Sequence, residues 1–120
     1  MRFTVPGTLP TMNEIIKVSK SHPMAYANMK KDYTALIMMQ SKKLPEVGKA
    51  DFEITWYCKD KRKDKDNIMS GQKFIFDGLV KAGVLKGDGW SQIGDVAHYF
   101  EIDKQNPRVE INIREYLEAS

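Results

Sequence analysis

At 120 residues, with 42% apolar and 29% charged side chains, the chain is long enough to bury a sizeable core and has the balance of an ordinary globular protein. No apolar run approaches the roughly 20 residues that a bilayer-spanning helix needs, and MRFTVPGTLP lacks the apolar segment of a signal peptide. A single cysteine, Cys58, excludes an internal disulfide and cannot alone build a zinc site, so one domain over residues 1–120 in a reducing cytoplasm is expected.

The net charge of +3 is unevenly spread: residues 1–50 hold eight Lys/Arg against three Asp/Glu, and residues 51–120 hold eleven against thirteen. A basic half joined to one rich in carboxylates suits a protein that binds a polyanion and sets metal against it. Uneven surface decoration explains the same totals.

In chain order, RFTV (2–5) alternates with Phe3 and Val5 on one face and reads as a short strand. PGTLPTMN is a loop, and EIIKVSKSH is either a helical turn or an irregular basic segment. Pro23 suits the first position of a helix, and Tyr26, Met29, Tyr33, Leu36, Ile37 and Gln40 then recur at three- and four-residue steps. That helix is expected to end near Lys43. DFEITWYC (51–58) alternates Phe52, Ile54, Trp56 and Cys58 against Glu53, Thr55 and Tyr57, a strand. Asp66 is placed to cap a helix running to about Ala82, with Gly83 in the left-handed position beyond it. A strand near Ile93–Phe100, a turn at DKQNP and a strand over Arg108–Ile113 complete the order β-α-β-α-β-β. The fold class is α+β, with the last two strands expected as a hairpin.

The stretch KRKDKDNIMSGQK (61–73) places Asp64 and Asp66 where a core strand ends and a core helix begins. Residues two apart in extended backbone point to the same side, so both carboxylates can converge on one point. Asp88 follows 22 residues after Asp66. A helix over 67–82 is roughly 24 Å long, so Asp88 meets the other two only if the chain folds back after Gly83 or if a second protomer supplies it. Hard oxygen ligands without a His/Cys set point to Mg²⁺ or Mn²⁺, ions that acidify water and neutralise phosphate charge in phosphodiester hydrolysis. Lys73 lies two helical turns after Asp66, with its ammonium directed back toward the carboxylates, where it can meet a developing phosphorane. An i,i+4 pair with Asp77 is the alternative, and spacing alone favours it.

At these residues the chain resembles the RusA family of Holliday-junction resolvases, found in bacteria and their phages and prophages. KDKDN (63–67) and KFIFDGLVKAGVLKGDGW (73–90) look like the family's D-x-D-N…K…FDAL-x-KAG…DD core, and LPTMN (9–13) looks like its LP-x-x-N element. The resemblance implies a mixed sheet packed against helices, a homodimer, and a metal-dependent endonuclease that nicks opposed strands of a four-way junction. It makes Asp64, Asp66 and Asp88 the metal carboxylates, Lys73 the catalytic lysine, and Asn13 and Asn67 site residues that face DNA. Two positions depart from the pattern. Gly87-Asp88 stands where the family often has paired acids, and Ser70 holds the place three residues after the Asn that usually carries the lysine. Lys73 aligns when counted back from FDGL, the three extra residues turning it by ~60°.

Lys17, Lys20, Lys30, Lys31, Lys61, Lys63 and Lys65 are candidate phosphate contacts, each equally explained as a solvated charge. Two rival functions are a branched-DNA-binding module without catalysis and a nuclease with broader flap or branched-DNA preference. His22 and His98 lack a ligand or nucleophile motif, and Cys58 reads as core. Trp90, after GDG, is open to base stacking, a dimer contact or packing over its turn.

Overall fold

The structure, a computed structural model, describes residues 1–117. Its elements are β1 (Arg2–Pro6), α1 (Met12–Ser21), α2 (Pro23–Ser41), β2 (Ala50–Cys58), α3 (Lys65–Met69), α4 (Gln72–Lys81), β3 (Ile93–Ile102) and β4 (Arg108–Glu115). This is the α+β class and the strand–helix order read from the sequence, with each helical region divided in two.

The segment at 12–21 is a full helix, because Thr11 caps it: its Oγ1 accepts from Glu14 N–H at 3.3 Å. No residue of α1 is buried, which is why apolar periodicity gave only a weak signal there. The His22 ring caps α2 in the same way, its Nδ1 accepting from Met24 N–H at 3.1 Å, and Pro23 opens that helix. At the far end of α4, Gly83 adopts φ +78°, and Val84 N–H donates to Leu79 O at 3.0 Å, closing the helix as the glycine position predicted.

The four strands form one mixed sheet in the order β1-β4-β2-β3. β1 and β2 both pair antiparallel with β4, whereas β2 and β3 run parallel. The expected hairpin of the last two strands therefore does not form; β2 lies between them. Central places in a sheet go to strands whose inward side chains are fully buried, and Phe52, Ile54 and Trp56 of β2 pair with Ile113, Ile111 and Val109 of β4. The inward residues of β3, Val96, His98 and Phe100, are only half-buried, which suits an edge. The 103–107 connection crosses the end of β2, where Asp103 N–H donates to Cys58 O at 2.8 Å. Arg108 holds the crossing through Asp103 and Glu110, both at 2.7 Å, and lies 3.7 Å over the Tyr57 ring.

The core gathers Phe3, Val5, Phe52, Ile54, Trp56, Ile111 and Ile113 against Ile37, Ile75 and Leu79 of α2 and α4. Phe52 meets Phe76 edge-on with ring centroids 5.1 Å apart. Gly78 lets α2 and α4 cross closely, since a Cβ there would run into Ile37 and stand 3.0 Å from Thr34 O. No helix among the described residues is long and apolar enough to cross a membrane.

Candidate functional site

The helix expected over 66–82 is broken at Ser70–Gly71. The chain is crowded at this point: a Cβ on Gly71 would sit 2.9 Å from Leu9 Cβ and 3.1 Å from the Trp56 ring. Ser70 and Gly71 keep right-handed helical backbone with i→i+3 bonds, Gly71 N–H to Ile68 O at 3.2 Å and Phe74 N–H to Gly71 O at 3.1 Å. The glycine lets this tightened turn lie close against Leu9 and Trp56. Two expectations change with it. Asp64, not Asp66, is the N-cap residue of α3, and its side chain makes no cap hydrogen bond; Asp66 lies in the first turn. Lys73 belongs to α4, so it does not continue a single stripe from Asp66. Lys73 is exposed and makes no ion pair with Asp77.

Around Asp64 and Asp66 the two short motifs meet. Asn13 N–H donates to Asn67 Oδ1 at 2.9 Å, linking the start of α1 to α3 across 54 residues of chain. Lys63 Nζ donates to Glu14 Oε1 at 3.0 Å, a second bond between the same segments. Asp66 Oδ1 accepts from Asn67 N–H at 2.9 Å. Both carboxylates remain exposed to solvent, as do Lys61, Lys63 and Lys65. A cavity of about 210 Å³ opens beside them, lined by Leu9, Trp56, Cys58, Lys63 and Ile68 among others. Cys58 is half-buried there, and burial pushes its thiol up, which keeps it a protonated wall residue.

Behind this corner runs a polar chain that no sequence spacing announces. Trp56 Nε1–H donates to His98 Nδ1 at 2.9 Å, and His98 Nε2 lies 3.0 Å from Gln72 Oε1. Because Nδ1 accepts, Nε2 carries the proton and donates to Gln72, making His98 neutral. Desolvation lowers its pKa in the same direction. The chain ties β2 and β3 to the first residue of α4, immediately before Lys73. His98 is thus a structural residue.

Asp88 is elsewhere. Ala50 pairs with Ile93 and Cys58 with Ile102, so β2 and β3 start side by side and finish side by side. Asp64 follows the end of β2, whereas Asp88 precedes the start of β3, and nine residues of strand separate the two ends by roughly 26–27 Å. Within one protomer Asp88 does not join Asp64 and Asp66. Among the described residues no three His, Cys, Asp or Glu side chains stand together to hold a metal.

Asp88 instead lines a cleft of about 580 Å³ between α2 and α4, with Lys30, Lys31, Thr34, Asp77 and Lys81. Two atoms in its walls lack partners: Asp77 Oδ2 and Thr34 Oγ1 are buried with no hydrogen bond. Thr34 as a residue is 8% exposed. A buried carboxylate oxygen without a donor is costly, and a cation would satisfy it. Asp77 shares this cleft with Asp88, a place that the i,i+4 spacing to Lys73 does not announce. Its place in FIFDGLV, between buried Phe74, Ile75, Gly78 and Leu79, was the available signal. Lys17 and Lys20 are exposed on α1, and Lys30 and Lys31 are exposed on α2.

The family model described as endodeoxyribonuclease RusA matches residues 6–114. The chain belongs to the RusA family. It is an endodeoxyribonuclease of the Holliday-junction resolvase class, as the motifs at 9–13, 63–67 and 73–90 implied. No curated protein matches it. The match takes in β2, α3, α4 and β3 whole, and with them both separated sets of carboxylates.

Proposed function

We propose that this resolvase cuts four-way junction DNA with Mg²⁺ or Mn²⁺, and that each metal centre is shared between two protomers of a homodimer. Asp64 and Asp66 of one subunit would hold the ion together with Asp88 of the other. The observation that carries the proposal is the parallel pairing of β2 with β3, which keeps Asp88 and the Asp64–Asp66 pair at opposite ends of one sheet. The free edge of β3 supports it. β3 is ten residues long and pairs on one side only. An open edge of that length is a template for another strand. If β3 pairs antiparallel with its own copy about a twofold axis, the start of each β3 lies beside the end of the other. Each Asp88 is then carried toward the partner's Asp64–Asp66 end.

The donor set suits a hard divalent ion, being carboxylate oxygen without thiolate or imidazole. Such an ion supplies Lewis acidity toward the scissile phosphate and lowers the pKa of water. The protein's own contributions follow from placement. Asp64 and Asp66 sit exposed on a corner that the Asn13–Asn67 bond ties to α1, and Lys63, paired with Glu14, would exchange that partner for phosphate. Lys73, exposed on the first turn of α4, would offset charge developing on the phosphate. Lys61, Lys63 and Lys65 would hold the backbone at this end, and Lys30 and Lys31 at the other, with Lys17 and Lys20 extending the track along α1. Twofold symmetry gives two centres and hence paired nicks in opposed strands.

The test is cleavage of a synthetic four-way junction in Mg²⁺, with nicks mapped on all four strands. Asp66→Asn is expected to bind the junction and leave it uncut. Full cutting by that variant, or unpaired nicks by the wild type, would overturn the proposal.

A further inference from the structure

The two tryptophans stand at opposite extremes: Trp56 is 2% exposed and Trp90 is 94% exposed. An indole left entirely in water forgoes burial that most tryptophans obtain, and such residues are concentrated where a ligand or partner arrives. The expectation that Trp90 packs over its own turn does not hold. The turn is nonetheless well defined: Gln92 N–H and Ile93 N–H both donate to Gly89 O, at 3.1 and 2.9 Å, leaving Trp90 at the tip just before β3 begins.

We infer that Trp90 is a stacking platform for an unpaired base at the exchange point of the junction, an inference that rests on the proposed site for the placement of DNA. Three observations favour a base over a protein partner. Trp90 follows Asp88 by two residues, so it stands beside a carboxylate assigned to the metal centre. The cleft that Asp88 lines carries Lys30, Lys31 and Lys81, so a cationic surface begins two residues along the chain from the exposed indole. Cations with an aromatic platform are the combination that single-stranded nucleic acid selects. Its neighbours in KGDGWSQ are charged, polar or glycine, whereas a tryptophan anchoring a protein interface sits inside an apolar patch. Four-way junctions have strands that part at the exchange point, where a base can leave its stack at less cost than in duplex.

Trp56 lies in the wall of the cavity beside Asp64 and Asp66, so Trp90→Phe protein, whose only tryptophan is Trp56, supplies the baseline against which the Trp90 signal is read. The emission of full-length Asp66→Asn protein is titrated with a four-way junction in EDTA, where no cutting is required. Stacking predicts quenching of Trp90 and its protection from acrylamide by the intact junction. Both effects should be lost when the exchange-point nucleotides are abasic. Trp90→Ala is expected to weaken junction binding by about five- to 150-fold, the range for one base stack, with Trp90→Phe recovering most of it. Emission unmoved by the junction, or moved equally by the abasic one, overturns the inference. So does a Trp90→Ala protein that sediments as a monomer where the wild type is a dimer, since Trp90 would then be an interface residue. Failure of this titration leaves the cleavage assay standing, and failure of cleavage leaves the quench readable.

Discussion

At the end of the sheet where β2 finishes, the functional side chains are tied to one another; where β2 begins, several are tied to nothing. Asn13 to Asn67, Lys63 to Glu14 and Trp56 through His98 to Gln72 form a braced corner around Asp64, Asp66 and the approach to Lys73. The opposite end has an exposed Asp88, an exposed Trp90, and buried oxygens of Thr34 and Asp77 without partners. Buried polar atoms are usually satisfied. The proposal of a shared centre accounts for this contrast by having another copy supply half of each site. On that proposal the labour divides: the braced end would fix geometry, and the open end would receive.

The largest effect that separates a shared centre from a self-contained one comes from mixing two dead proteins. Asp66→Asn and Asp88→Asn are each expected to lack cleavage. In a mixed dimer, one centre combines both substitutions and the other neither. Random re-association should therefore restore roughly a quarter of the wild-type centres, since half the dimers are mixed and each has one intact centre. Their product would be single nicks instead of paired ones. If both ligand sets served one centre within a protomer, no mixture would cut anything.

A second test loads the open end mechanically. Gly78 is the contact through which α2 and α4 form the cleft that holds Asp88. Gly78→Ala forces a Cβ into Ile37 and should cost about 1–3 kcal/mol, read as a fall in Tm. The Asn13–Asn67 corner lies on other elements, so amide exchange there should change less than in α2 and α4. Uniform loosening would show that the two ends are not independent.

A smaller effect tests the unpartnered oxygen itself. No donor in the fold bonds Asp77 Oδ2, so Asp77→Asn breaks no existing bond there and removes a costly buried charge, and metal-free stability is expected not to fall. Stabilisation of the fold by added Mn²⁺ should fall, if the Asp77 oxygen waits for a cation. A large metal-free loss would instead show that Asp77 is already paired in solution.

Sequence and structure agree where local physics decides. Phe52, Ile54 and Trp56 alternate because one face of β2 is core, and Gly83 follows α4 because only glycine takes φ +78° without strain. The corner position of Asp64 and Asp66 was legible from element order, whereas element lengths left open whether Asp88 reaches them by the chain folding back or from a second protomer. The parallel pairing of β2 with β3 separates them within one chain. Three features were not legible, and each depends on contacts distant in sequence. The place of β2 between β3 and β4 depends on which strand buries more. The close approach at Gly71 depends on Leu9 and Trp56, far away in the chain, whereas a lone glycine in a helical pattern reads as merely tolerated. The Trp56–His98–Gln72 chain joins positions 42 and 26 residues apart, and no period connects them.

That chain supplies the smallest predicted effect, a pH dependence confined to the braced end. Burial lowers the pKa of His98 below its usual 6.5, so in the native state the ring stays neutral longer than in the unfolded chain. Between the two values the unfolded state binds more protons, and stability rises with pH. The contribution is complete above about 6.5 and is lost as pH falls through the lower native value. Protonation at Nδ1 would also remove the acceptor for Trp56 Nε1–H. Asp51, lowered chiefly by the hydrogen bond from Asp95 N–H, and Asp103, lowered chiefly by Arg108, lose their contributions only in more acid solution, below the ordinary carboxylate value of 3.8. Melting curves between pH 7 and about 5 therefore avoid these carboxylates, and the comparison with His98→Gln separates His98 from His22, whose Nδ1 caps α2. The wild type should lose Tm over that interval, and His98→Gln, which cannot titrate, should lose less. If the two slopes coincide, the imidazole is not the group that titrates, and the brace behind Lys73 does not depend on its neutral form.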